Sequence, residues 1–136
     1  MSDIEIEFLV PRRPVSLQTR RRRSFQAWKD VVRAEAAKAW AGRRMIEAGA
    51  LHLTLVYLCR ESPLDVDNIV KPIQDALEGL VLSDDILVSD VESHRRFLAG
   101  TFDLDRLPPL LASALAASVE CVYVRLSGAR PLEDLL

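Results

Sequence analysis

From Ile4 to Val10 the chain alternates, with Ile4, Ile6, Phe8 and Val10 on one side and Glu5 and Glu7 on the other. A period of two predicts a half-buried strand. Pro11, Pro14 and the polar residues up to Arg23 predict a loop. From Ser24 the period lengthens: Phe25, Trp28, Val32, Ala36 and Ala39 recur at helical spacing, predicting a helix to about Trp40 with Ser24 as its N-cap. Gly42 and Gly49 bracket a short connection. Between Ala50 and Cys59, Leu51, Leu53, Leu55, Tyr57 and Cys59 share one face while Thr54, Val56 and Leu58 share the other. Apolar residues on both sides predict a central strand covered on both faces. Ser62 and Pro63 end it. Ile69, Ile73, Leu77 and Leu80 predict a second helix over about 67–78, stopped by Gly79. Residues 90–98 predict a strand, Pro108 and Pro109 open a short helix through Ala117, and 119–126 predict the last strand. The tail from Gly128 is expected to be peripheral.

The order strand, helix, strand, helix, strand, short helix, strand predicts an α+β fold, with helices packed on one mixed sheet. With 136 residues, of which 49% are hydrophobic, the chain is long enough to bury a core, and a single domain over 1–136 is expected. No apolar run reaches the ~18–20 residues that span a bilayer, and the start lacks a secretory pattern. Cys59 and Cys121 are far apart and lie within apolar runs, which suits buried strand thiols better than a disulfide framework or a zinc site. The expected compartment is the cytoplasm, with no membrane partner.

A net charge of −2 says little, but its distribution is uneven. Arg12, Arg13, Arg20, Arg21, Arg22 and Arg23 fall close together, followed by Lys29 and Arg33. Acids gather in the middle, at Asp65, Asp67, Asp75, Asp84, Asp85 and Asp90. A basic segment neutralises phosphates while a carboxylate cluster elsewhere binds cations, and the average hides both. An arginine run is also compatible with a solvated loop or helix face.

The informative stretch runs from Asp65 to Leu77, Asp-Val-Asp-Asn-Ile-Val-Lys-Pro-Ile-Gln-Asp-Ala-Leu, followed by Ser83-Asp84-Asp85. Asp65 and Asp67, two apart in an extended segment, point the same way. They precede a helix whose first amides favour negative charge. Asp67, Lys71 and Asp75 form one polar stripe opposite Ile69, Ile73 and Leu77. Each piece also has a structural role open to it: an N-cap for Asp67, a helical ion pair for Asp67 with Lys71, a turn for Asp84-Asp85. Together they offer converging oxygen ligands for a hard divalent cation such as Mg²⁺. A lysine beside them is suited to stabilising charge on a scissile phosphate.

The pattern Asp-x-Asp-Asn-x-x-Lys-x-x-x-Asp-Ala-Leu, then Gly79, then Asp84-Asp85 before an apolar residue, resembles the RusA family of Holliday junction resolvases. At motif level the likeness covers about residues 65–88. It implies a homodimeric endonuclease, dependent on Mg²⁺ with Mn²⁺ as a substitute. Such an enzyme nicks four-way DNA junctions symmetrically in recombination and repair. By the same resemblance Asp65, Asp67 and Asp85 are the catalytic acids and metal ligands, Lys71 is the catalytic lysine, and Asn68, Asp75 and Asp84 support them. DNA contact is expected from Arg12, Arg13, Arg20, Arg21, Arg22, Arg23 and Lys29. The family's usual Pro-Pro-Ser-x-Asn stretch is replaced here by Pro11-Arg12-Arg13-Pro14-Val15-Ser16-Leu17-Gln18. A nuclease for other branched or single-stranded DNA, and a junction-binding protein without catalysis, are the competing readings. His52 is expected to be structural, His94 to lie at a solvated strand end, and Trp28 and Trp40 to be core or dimer contacts.

Overall fold

The computed structural model describes residues 3–14, 22–60 and 69–136. Its elements are β1 (Ile4–Val10), α1 (Arg22–Trp40), β2 (Leu51–Cys59), α2 (Val70–Leu77), β3 (Val88–Phe97), α3 (Pro109–Ala116), β4 (Cys121–Gly128) and α4 (Leu132–Leu135). Short 3-10 turns lie at Asp85–Leu87 and Leu104–Arg106. The strands form one four-stranded sheet in the order β1-β4-β2-β3. β4 runs antiparallel to both β1 and β2, whereas β3 runs parallel to β2. Parallel neighbours need a crossover between them, and α2 lies in that connection. The α+β, mixed-sheet expectation holds.

The two inner strands, β4 and β2, each lie between two partners, and β2 carries apolar residues on both faces. Leu51, Leu53, Leu55, Tyr57 and Cys59 of β2 join Ile6, Phe8 and Val10 of β1 and Val122, Val124 and Leu126 of β4 in the main core. Trp28, Val32, Ala36 and Trp40 of α1 and Ile73, Ala76 and Leu77 of α2 close over them. The indoles thus belong to the core, with Trp28 and Trp40 at 2% and 1% exposure. On the opposite face, Leu111 and Ala114 of α3 pack on Leu58, Cys121 and Tyr123. Both cysteines are free and buried. Burial raises the Cys59 thiol above its ordinary range and pushes Cys121, with help from Glu120, up to about 11. These are packing residues, not nucleophiles.

Several boundaries differ from expectation. Helix α1 already contains Arg22 and Arg23, so Ser24 lies inside its first turn and does not cap it. Arginine is a good helix former, and the apolar stripe marks only where the buried face begins. Strand β3 starts at Val88 and β4 ends at Gly128, each offset by two residues from the alternation, because pairing with β2 extends past the apolar positions. The tail forms a short helix, α4, that leaves Leu132 and Leu136 exposed.

Gly79 ends α2 as its position predicts. The helix stops at Leu77, and Gly79 adopts φ +81°, a left-handed conformation in which a side chain is strained. The chain then folds back on itself. Gly79 N–H donates to Leu82 O, Ile46 N–H to Val81 O and Ser83 N–H to Ile46 O. This clamp carries Ser83-Asp84-Asp85 back toward the start of α2.

Candidate active site

Helix α2 places Lys71 and Asp75 one turn apart on its outer face, while Ile73, Ala76 and Leu77 are buried. Pro72 is accommodated because it sits in the first turn, where a backbone donor has no intrahelical acceptor. Lys71 Nζ lies 2.9 Å from Asp75 Oδ1 and 2.9 Å from Asp85 Oδ2. The first contact is the i, i+4 pair that helical geometry provides. The second spans fourteen residues and exists because the Gly79 turn returns the chain.

The two neighbouring aspartates differ in what they do. Asp84 accepts a hydrogen bond from Ile86 N–H at 3.0 Å and caps the 3-10 turn, leaving Asp85 to reach the lysine. The hydrogen bond and charge of Lys71 hold the Asp85 carboxyl below its usual range. Bonds to Asp75 and then to Asp85 raise Lys71 above the ordinary lysine value. Each ion thus stabilises the charged form of its partner.

Glu78 joins this cluster, though the sequence reading passed over it. Carboxylate oxygens of Asp75, Glu78 and Asp85 lie within 4.8 Å of one another. Oxygen donors this close are of the kind that hard divalent cations take. The ammonium of Lys71, bonded to two of the three acids, marks the place as one where a cation is stable. The signal for Glu78 was its position, one helical turn after Asp75.

Helix α1 braces the cluster from the side. Arg33 Nη1 donates to Ala76 O at 3.3 Å and to Glu78 O at 3.2 Å, satisfying carbonyls at the C-terminal end of α2. Lys29 Nζ stands 3.9 Å from Asp75 Oδ2 and 5.4 Å from the centre of the Phe25 ring. It is therefore placed with the acids, about two helical turns along α1 from the exposed Arg22.

Of the other residues singled out by the sequence, Asp65, Asp67, Asn68, Arg20 and Arg21 lie outside the described residues. Arg12 is exposed beyond the end of β1. Arg13 lies near the C-terminal end of β2, close enough for its charge to act on Tyr57 and Cys59. The chain runs from that end into the segment carrying Asp65 and Asp67.

A second polar group occupies the sheet face away from α1. His52 is buried, as a structural residue should be, with Nδ1 3.4 Å from Asp90 and Nε2 3.1 Å from Glu92. His94 Nε2 lies 3.3 Å from the same Glu92. Burial opposes ionisation of Glu92, but the bond from His94 and the two imidazoles outweigh it and lower its pKa. The period-two run Asp90, Glu92, His94 was the available signal for this network.

No helix among the described residues is long and apolar enough to cross a membrane. No curated protein and no solved structure matches the chain significantly. The family model described as endodeoxyribonuclease RusA matches residues 11–101, well over half of the chain and inclusive of the Lys71–Asp85 contact, so the chain belongs to the RusA family of endodeoxyribonucleases.

Proposed function

We propose that this protein is a Mg²⁺-dependent endonuclease that resolves four-way DNA junctions by paired, symmetric nicks, serving recombination and repair in the cytoplasm. The whole chain, 1–136, is one nuclease domain that works as a homodimer. The single observation that carries the reading is the bridging of Lys71 between Asp75 and Asp85 inside the family's matched span. Asp65, Asp67 and Asp85 hold the metal, and Asn68, Asp75 and Asp84 support them. Mn²⁺ serves in its place. The metal supplies charge neutralisation at the phosphate and an activated water.

The chain's own groups take the remaining tasks. Lys71, held charged by its carboxylate partners, stabilises negative charge growing on the scissile phosphate. Arg12, Arg13, Arg20, Arg21, Arg22, Arg23 and Lys29 position the DNA backbone. One cluster of acids around Lys71 among the described residues, and two strands to cut, call for two copies around a twofold axis. Light scattering should therefore give twice the 15.3 kDa chain mass.

Side-by-side cleavage of four-way, flap, linear and single-stranded DNA in Mg²⁺ tests the substrate. The four-way junction should be cut fastest and at paired positions. Equal or faster cutting of flaps or single strands would replace this substrate with a broader one. Binding without any nicking would leave only a junction-binding protein.

Substituting alanine for Arg20, Arg21, Arg22 and Arg23 together should weaken DNA binding and flatten its dependence on salt. Each lost phosphate contact removes about one unit of slope in log K against log salt. An unchanged slope would leave these arginines as solvated charges with no contact to phosphate.

A further inference from the structure

A lysine with two carboxylate partners at equal distance has more acid around it than its own charge requires. Lys71 Nζ is 2.9 Å from both Asp75 and Asp85, and Asp75 in turn faces Lys29 at 3.9 Å. Charges therefore alternate along the line Lys29, Asp75, Lys71, Asp85. The ammonium bonds two of the three carboxylates whose oxygens converge within 4.8 Å. Resting on the proposed function, in which Asp85 is a metal ligand, this arrangement has a consequence. One Asp85 carboxylate is asked to serve an internal ammonium and a divalent ion.

We infer that Lys71 is an internal cation at Asp85 that a divalent metal displaces, and that Asp75 is a positioning residue that retains the displaced lysine beside the site. The lysine side chain is half exposed and sits on the surface of α2, so it moves without disturbing the core. Its tether to Asp75 is an i, i+4 contact within one helix and does not depend on Asp85. A lysine released from one partner and kept by the other stays near the reacting phosphate. Loading of metal and freeing of Lys71 become one event.

The test is Mn²⁺ or Mg²⁺ binding to the full chain without DNA, measured by calorimetry, with cleavage set aside. Lys71→Met removes the competitor and should tighten metal binding about two- to fivefold, the range of an exposed ion pair. Lys29→Met removes a charge near the same acids that is not bonded to Asp85, and should tighten binding less. Equal tightening in both variants would mean that only the general field matters, which overturns the displacement. Unchanged or weaker binding in Lys71→Met overturns it as well.

Asp75→Asn leaves Lys71 with Asp85 alone and should weaken metal binding. In the Lys71→Met background the same change should weaken binding by a smaller factor, that of a nearby charge alone, because the positioning role of Asp75 acts through the lysine. A loss as large in the double variant as in the single one would make Asp75 a ligand and refute the positioning role. Nitrogen-15 resonances of the lysine ammonium give an independent signature. Mg²⁺ should shift the Lys71 signal in the wild type, and a signal that stays fixed at saturation refutes displacement. Asp85→Asn separates the two levels: if it binds metal as tightly as the wild type, the ligand assignment beneath the inference fails. If it loses metal while Lys71→Met gains none, only the inference fails.

Discussion

Asp85→Asn should lower junction cleavage by more than about a hundredfold while the protein still folds and still binds DNA. Asparagine keeps the size of the side chain and much of its hydrogen-bonding capacity but removes the charge that holds the cation. The pair it breaks is with the half-exposed Lys71, and surface ion pairs contribute little to stability. The melting temperature should therefore barely change. DNA affinity should hold or rise, since an anion beside the phosphate is gone. Asp65→Asn and Asp67→Asn should behave alike. Asp84→Asn should differ, because that side chain caps the 3-10 turn through Ile86 N–H and does not face the lysine. Single-turnover nicking at saturating protein, with calorimetric melting of the same samples, checks the set. A variant that melts early but cuts normally when folded would return Asp85 to a purely structural role.

Lys71→Ala should lose cleavage by about two to three orders of magnitude, the cost of removing one preorganised donor from a developing oxyanion. Metal binding should survive, which distinguishes this variant from Asp85→Asn. The wild-type pH profile carries the same information. Hydrogen bonds to Asp75 and Asp85 raise Lys71 above the ordinary lysine value of about 10.4 in the metal-free protein, and Asp75 stays its partner when Asp85 takes the metal. Loss of the lysine proton should therefore cause no fall in activity below roughly pH 10. Lys71→Arg keeps the charge but spreads it over a planar fork, and should recover DNA affinity more than rate. Rates for Lys71→Ala close to wild type would remove this side chain from the chemistry.

What the sequence disclosed, and what it withheld, follows from the range of each interaction. The alternation in β1 and β2, the helical stripe of α1 and the stop at Gly79 are local, and each is written within a few turns of chain. The pair of Lys71 with Asp75 is local too, being one helical turn. That Lys71 also meets Asp85 was implied by the resemblance. It depends on the turn at Gly79 and on the backbone bonds from Ile46 that hold 81–83 in place. Contacts that join distant elements are not paired by any local pattern. Arg33 and the carbonyl of Glu78 are 45 residues apart, and His52 and Asp90 are 38 apart. Nothing near either arginine or histidine in the chain announces its partner. Lys29 is grouped with the arginines by its basic neighbours, and its ion pair with Asp75, 46 residues on, is written nowhere among them.

The central claim is that the acids around Lys71 form a metal-dependent nuclease centre. Nicking of a strand-labelled four-way junction, with Mg²⁺ and then with excess chelator, measures it directly. Paired nicks in Mg²⁺, none in chelator and full recovery when the ion is restored are the results this account predicts. Cleavage that persists undiminished in chelator, or no cleavage by a folded dimer in either Mg²⁺ or Mn²⁺, would contradict it.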